Sequence, residues 1–452
     1  MTQLGEAIAR YHKLIESEPH RNLQWAAELR DRMITAHLTV GGKPVCPFLR
    51  PHFLTRRRYD ALVKAAEALL SAIDRIKQMA LANPALLSRM ELLPAEKMLA
   101  SIDPGYPYLT VTSLLDTHLD NGSLRFVNYN ADTAPGVAFG TALDELFYDC
   151  PPVKQFRRQY KLSRLGGTKH LVQSVLQAYK EFGGKRKPRI GVLEFRQPFQ
   201  ASEPSEYLLL CELFRKAGCA AEIVSPDQLE YKGGVLRQEN FVIDLVFRRV
   251  KVQEFLLRFD LSHPLVRAYR DRAVCMVNSF RSELAHKKAI FDLLTDETIT
   301  AGFPAAERRA IRDYIPWTRV VTETKTTFEG KTIDLIEFIL KNREKLVLKP
   351  NDDSGEEPAY QGWLTDDAGW ERALRAATRR PYVVQERVEP TRVVFPVMFY
   401  GEMQMRELQV DVHPLAFLGR VHGCASWLSE PVSGGFSSIA GLAPTFILES
   451  KN

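Results

Sequence analysis

From residue 188 onward apolar runs alternate with amphipathic ones, and this alternation restricts the architecture more than any other feature of the chain. RIGVLEF (189–195) reads as a strand, and 205–217 as a helix that buries Leu208, Leu209, Leu213 and Phe214. Gly218 stops that helix, and CAAEIVSP (219–226) starts the next strand. FVIDLVFRRV (241–250) is another buried strand, finishing in Arg248 and Arg249. Strand, helix, strand in this order implies a crossover and a parallel sheet, whose strand ends usually carry ligand groups. Arg248 and Arg249 stand where an anionic substrate would be gripped, although arginines flanking a strand also serve structure alone.

A second stretch, LVLKPNDDSGEEPAYQGW (346–363), is a short apolar strand closed by Lys349 and Pro350, with a turn cluster at 351–355. A cation at the end of a buried strand, followed by carboxylates and glycine, suits a triphosphate and its metal. The same residues also make an ordinary surface turn. SLRFVNYNADTAPGVAFG (123–140) holds a strand at Phe126 and Val127 and a turn at 131–136. Asn128 and Asn130, two apart, point to one side of that strand. A hairpin around Asp120, Asn121 and Gly122 would bring Asp116 beside them, a set able to hold a hard cation or a polar substrate. Alternatively Asn130 and Asp132 only build the turn.

The remaining segments supply a frame. Residues 1 to about 105 read mainly as helices, with Leu4, Ile8, Tyr11 and Leu14 on one stripe and Leu62, Ala65, Ala66, Leu69, Leu70 and Ile73 on another, separated by a Pro-rich extended loop at 41–53. VCMVNSFRSELAHKKAIFDLLTDE (274–297) reads as a strand and then one helix from about Ser282, carrying Lys287 and Lys288 in its middle. A helix at 333–342, another at 366–379, a strand at 382–390 and strands at 406–412 and 418–424 complete the pattern. A chain of 452 residues exceeds one core and divides into two to four units.

Charge and cysteine usage narrow the partners. The net charge of +6 arises from 61 basic and 55 acidic residues, a balance suited to small anions and not to nucleic acid. None of the six cysteines forms a C-x-x-C pair or a zinc spacing, which fits buried thiols in a reducing cytoplasm. The opening MTQLGEAIARYHKLIESE is helical and charged and does not read as a signal peptide, and no apolar run is long enough to span a bilayer.

Taken in order, these pieces resemble the circularly permuted ATP-grasp superfamily, in the branch of glutathionylspermidine synthase and related carboxylate–amine ligases. The resemblance begins near Tyr11 and His12 and runs through VNYNADTAPG (127–136), IDLVFRRV (243–250), NSFRSELAHKKAIFDLL (278–294), LVLKPNDDSG (346–355) and VVQERV (383–388) to APTF (443–446). It implies a mixed α+β and α/β fold: a helical lobe (1–105), a metal-bearing part of the ATP-grasp core (106–187), an embedded βαβ lobe like a pre-ATP-grasp domain (188–280), a nucleotide-binding lobe with a lid loop (281–390) and a C-terminal part of the core (391–452). It also implies ATP and Mg2+ as cofactors, with small-molecule or peptide-like carboxylate and amine substrates. Lys288 and Lys349 match the lysines that reach the phosphates, and Gln385, Glu386 and Val388 match the strand that meets the adenine edge. Asp116, Asn128, Asn130 and Asp353 match the metal ligands.

Departures from the family pattern lie near the phosphates. The family's metal-binding glutamate is Asn128 here, and the glycine-rich lid reads Gly355-Glu356-Glu357-Pro358. Leu114 stands where an arginine often precedes the upstream aspartate, and the C-terminal Gly/Ser-rich loop contains no asparagine. Two functions therefore stand side by side: an amide-forming ligase acting through an acylphosphate, with Glu356 or Glu357 supplying the missing charge, and a degenerate relative that binds nucleotide or a peptide-like ligand without turnover. A purely structural protein fits less well, because Lys288, Lys349, Asp116 and the VVQERV strand are all kept.

Overall fold

The computed structural model describes residues 2–119, 123–132, 135–195, 205–352, 358–431 and 439–449. The opening hundred residues are dominated by the 27-residue helix Arg56–Ala82, whose first turn is capped by the Thr55 side chain accepting from the Arg58 N–H. Leu62, Ala65, Ala66, Leu69, Leu70, Ile73 and Ile76 recur at helical spacing and are buried. The helix Ala305–Tyr314 packs along it, fastened by a two-pronged pairing of Arg75 with Glu307 at 3.0 Å.

Part of the expected 41–53 loop is ordered as strand. His52–Thr55 runs parallel to Thr445–Leu448, which also pairs with Leu162–Arg164. This small sheet joins segments that lie far apart in the sequence.

Three further sheets position the site. The large antiparallel sheet has the order Ala440–Ala443, Arg420–Ser429, Glu402–Phe417, Thr112–Leu119, Leu124–Asn130, and Thr391–Phe399 pairs along the first half of Glu402–Phe417. One of its faces, carrying Leu115, Phe126, Tyr129 and Val412, is buried in the same core as the helical lobe. The parallel sheet has the order Cys275–Val277, Leu245–Arg248, Arg189–Leu193, Ala220–Val224, as the alternating pattern predicts. The third sheet, Thr318–Val320, Tyr382–Glu386, Leu346–Pro350 and Tyr360–Gln361, is antiparallel throughout. The helices Leu335–Lys341 and Asp367–Ala377 cover it, and Trp370 is buried between them with its ring N–H on the Ile339 carbonyl.

Four local expectations are corrected. The segment 241–250 is two short strands, Phe241–Val242 and Leu245–Arg248, because Asp244 leaves the strand to bind Arg189 at 2.9 Å. The helix Ser205–Lys216 buries Glu206, Leu210, Cys211 and Phe214, leaving Leu208 half-exposed. A run of three leucines fits more than one face, and the ion pair between Glu206 and Arg249 selects this one. The strand at 382–390 ends at Glu386. The helix expected from Ser282 is broken into Glu283–His286 and Ala289–Leu294, with extended backbone at Lys287 (φ −69°, ψ 136°).

All six cysteines are buried and reduced. Burial pushes the Cys46 and Cys150 thiols up to about 12, so they are inert core residues.

Candidate functional site

The site lies where the open face of the large sheet meets the ends of the other two. A β-bulge shapes that face. Asp116 pairs with Asn128 and Thr117 with Phe126, so Val127 is the extra residue. The bulge reverses the alternation: Phe126 faces the helical core, whereas Asn128 and Asn130 turn with Asp116 and Leu114 to the opposite side. Lys349, on the neighbouring antiparallel sheet, reaches across to this bulge. Its Nζ donates to Gln385 Oε1 at 2.8 Å and to the Val127 carbonyl at 3.5 Å, so one ammonium bridges the two sheets.

The predicted nucleotide-side residues are gathered in part. Gln385 is buried and passes a hydrogen bond from its amide to Thr318 at 3.0 Å, which fixes its oxygen toward Lys349. Glu386 is turned away from Lys349 and accepts from the Trp317 backbone N–H at 2.9 Å. Val388 follows the strand and lines a cavity of about 240 Å³ with His118, Arg125 and Arg387. Lys288 sits at the start of Ala289–Leu294, its backbone N–H on the Asn351 carbonyl at 2.9 Å. Lys288 and Lys349 therefore flank the same turn.

The predicted metal ligands form a less open set. Asn128 Nδ2 donates to Asp116 Oδ2 at 3.0 Å, and His413 Nδ1 lies 3.3 Å from the other carboxylate oxygen. Asn130 Oδ1 accepts from the Asp132 N–H at 3.1 Å, the turn-building role. Asp353, Glu356 and Glu357 lie outside the described residues.

Arg248 and Arg249 are both buried in ion pairs. Arg248 donates to Asp132, to the Asn278 and Val250 carbonyls and to Ser282 Oγ. Arg249 meets Glu206 at 2.9 Å, and the other oxygen of Glu206 accepts from the Gly136 N–H at 2.8 Å. Guanidiniums held in this way tie the carboxyl ends of the parallel sheet to Asp132 and, through Glu206, to Gly136. Asn278 does the same, donating to the Thr112 and Ala131 carbonyls at 2.7 and 2.6 Å and accepting from the Val111 and Thr112 N–H groups.

Sequence reasoning missed the most highly charged feature, the surroundings of Lys287. Its ammonium is 2.7 Å from Glu96, contacts Asp352 and lies 3.7 Å from Glu283, all within the protein. Glu96, Glu283 and Asp352 each place an oxygen within 4.8 Å of the others, and Lys287 is the cation among them. Glu96 is committed twice, because its second oxygen caps the helix Pro94–Ser101 by accepting from the Leu93 N–H at 2.8 Å. Burial opposes the charge on Asp352, yet His286 and Lys287 outweigh it and hold this carboxyl well below its usual range. Burial, reinforced by the charge of Asp132, pushes Glu283 up to about 8. Asn351 completes the knot: its side chain donates to the Met90 carbonyl at 3.1 Å and accepts from the Ala289 N–H at 2.8 Å. The density of charge in SELAHKK was the available signal.

No family model matches the sequence, and no curated protein matches it either. Among solved structures, a glutathione synthetase-like effector from Globodera pallida, in its apo form, superposes with a TM-score of 0.64 at 13% identity, over 96% of this chain and 98% of that one. A protein named for gamma-glutamylcysteine synthetase from Methylobacillus flagellatus gives a TM-score of 0.42 at 11% identity over 86% of each chain, too loose a fit to define a fold. From end to end, then, this chain has the fold of the glutathione synthetase-like effector.

Proposed function

We propose that the chain is an ATP-dependent carboxylate–amine ligase of the circularly permuted ATP-grasp type, in the manner of glutathionylspermidine synthase. The observation that carries this reading is Lys349, bridging Gln385 on one sheet and the Val127 carbonyl on the other. An ammonium at such a junction is placed to meet the phosphates of a nucleotide held between the sheets. Lys288, across the turn, would share that charge. The backbone beyond Glu386, at Val388, offers N–H and C=O groups to an adenine edge beside the small cavity.

The reaction class follows from placement and charge. A substrate carboxylate oxygen attacks the γ-phosphorus and ADP leaves; an amine then attacks the acyl carbon and phosphate leaves, forming the amide. Lys288 and Lys349 spread the charge of the transferring group, and little acid–base machinery is needed. Arg248 and Arg249 act through Asp132 and Glu206, positioning the turn that follows the Asn128 strand. Among the described residues Asp116 would offer a carboxylate to magnesium, although it is already bonded to the Asn128 amide and approached by the His413 imidazole, and the remaining hard oxygen ligands would come from Asp353 and its neighbours.

Replacing Lys349 by methionine should weaken binding of ADP or a non-hydrolysable ATP analogue at least about tenfold by calorimetry, the loss of one charge-assisted contact. Unchanged affinity would remove the main support for the nucleotide site.

The hydrogen bond from Asn128 to Asp116 favours a second reading, binding of a nucleotide or peptide-like ligand without turnover, since a neutral amide replaces a metal-binding carboxylate. A screen for ADP release with small acids and amines, run on the natural chain beside Asn128→Glu, separates the two. For a ligase, release is expected from the natural chain. Release from the glutamate variant alone would establish the inactive form.

A further inference from the structure

The 27-residue helix Arg56–Ala82 opens on three arginines and has no acid in its first turn. Cations at a helix start oppose the helix dipole, so Arg56-Arg57-Arg58 is locally unfavourable and calls for an anion. Arg56 has one, since its guanidinium meets Glu449 and lies 3.8 Å from Asp60. Arg57 is exposed and has no ion pair among the described residues. Arg57 and Arg58 line a cavity of about 610 Å³ between this helix, the helix Gln3–Glu16 and the ends of the strands Thr112–Leu119 and Leu124–Asn130. Arg125 lines it from the last of these strands, its Nη1 tethered to the carbonyls of Leu124 and Asp313. The one carboxylate among the described lining residues, Asp313, is engaged by Arg309 at 3.3 Å and by Arg312 at 3.1 Å. Leu4, Leu124 and Tyr314 add an apolar wall.

We infer that this cavity is a binding site for a small organic phosphate, whose phosphate group meets Arg57, Arg58 and Arg125 and whose apolar body lies against Leu4, Leu124 and Tyr314. Planar guanidinium forks match phosphate oxygens two at a time, and three of them outweigh a single acid that is already paired. The first turns of both helices open on the same space: Thr2 accepts from the Gly5 N–H at 3.2 Å and Thr55 from the Arg58 N–H at 3.3 Å, and both threonines are in the wall. Their dipoles add to the charge of the guanidiniums. The volume is that of a small-molecule site and exceeds what a bare anion needs. An anion held there relieves the conflict between the arginines and the helix dipole, so the ligand stabilises the fold as it binds. Arg125 and Ser123 also line the cavity beside Val388, so the two cavities adjoin, but neither Lys288 nor Lys349 lines the larger one. The site goes beyond the proposed ligase and needs no nucleotide.

Phenyl phosphate and inorganic phosphate are titrated calorimetrically into the full chain in a phosphate-free buffer of low ionic strength. Phenyl phosphate should bind once per chain and at least about tenfold more tightly than inorganic phosphate, because only its ring covers the apolar wall. Arg57→Met should weaken it by about tenfold or more, whereas Lys349→Met should leave it unchanged. Without ligand, Arg57→Met should melt no lower than the natural chain, since the arginine opposes the helix dipole. Phenyl phosphate should then raise the melting temperature of the natural chain by more than that of the variant. Absence of phenyl phosphate binding, or equal affinity in the natural chain and Arg57→Met, overturns the inference. Loss of binding in Lys349→Met alone overturns it too, by placing the ligand in the nucleotide cleft. Inorganic phosphate binding as tightly as phenyl phosphate would leave an adventitious ion only, which has the same consequence. Phenyl phosphate binding in a chain that does not bind ADP would sink the ligase reading alone, and the converse would sink this one alone.

Discussion

Replacing Lys287 by methionine should destabilise the protein by about 3–5 kcal/mol, the usual cost of removing one partner from a buried ionic cluster. The side chain is 4% exposed and Glu96 is fully enclosed, so water cannot take over the role of the ammonium. Burial works against the charge on Lys287, but Glu283, Asp352 and Glu96 together hold its pKa above that of a free lysine. The lost contacts also span three parts of the fold: Glu96 in the helical lobe, Glu283 in the broken helix and Asp352 in the turn after Leu346–Pro350. Thermal unfolding followed by circular dichroism would record the loss. Adding Asp352→Asn should restore part of it by removing an acid left without its cation. A methionine variant that melts with the natural chain would mean the cluster contributes nothing to holding these parts together.

The same cluster sets a pH dependence. Glu283 has a folded-state pKa of about 8, above the 4.5 of a free glutamate, through burial and the nearby Asp132. Between those values the folded chain holds a proton that the unfolded chain has released, so stability from this group is complete below about 4.5 and is lost as pH rises through about 8. The span corresponds to a few kcal/mol. Glu194, also raised to about 8 by burial, has the same sign, so the contribution of Glu283 is isolated by comparison with Glu283→Gln. The variant should match the natural chain near pH 5 and exceed it in melting temperature near pH 9. An identical offset at both values would show that Glu283 does not titrate in this window.

The local patterns were the legible part of this molecule. Ile190–Leu193, Leu245–Phe247 and Cys275–Val277 are short apolar runs buried on both faces, and such runs announce a parallel sheet without help from distant residues. The pairing of Asp116 with Asn128 was legible for the same reason, since a tight connection leaves few registers. The features that local patterns do not carry depend on distant partners. The helical period continues unbroken through 283–294, and only the acids supplied by Glu96 and Asp352 explain the break at Lys287. The pairings of Asp116 with His413 and of His118 with Asp411 require two strands from distant parts of the chain to meet in one register. The bulge at Val127, which chooses the side on which Asn128 appears, leaves no mark on the alternation of residue types. The family pattern points to Asp353, whereas the described acid of that turn, Asp352, is identified by the lysine it meets.

The parallel pairing of His52–Thr55 with Thr445–Leu448 also governs the order in which the protein can be made. As the chain leaves the ribosome, His52–Thr55 emerges with the slot beside it vacant, and Thr445–Leu448, which fills that slot, follows only after all the intervening sheets. Phe53, Phe446 and Ile447, which share one core, meet only then. Until Thr445–Leu448 arrives, Phe53 lacks these apolar partners, so this corner of the core closes only after the sheets between the two strands have been made.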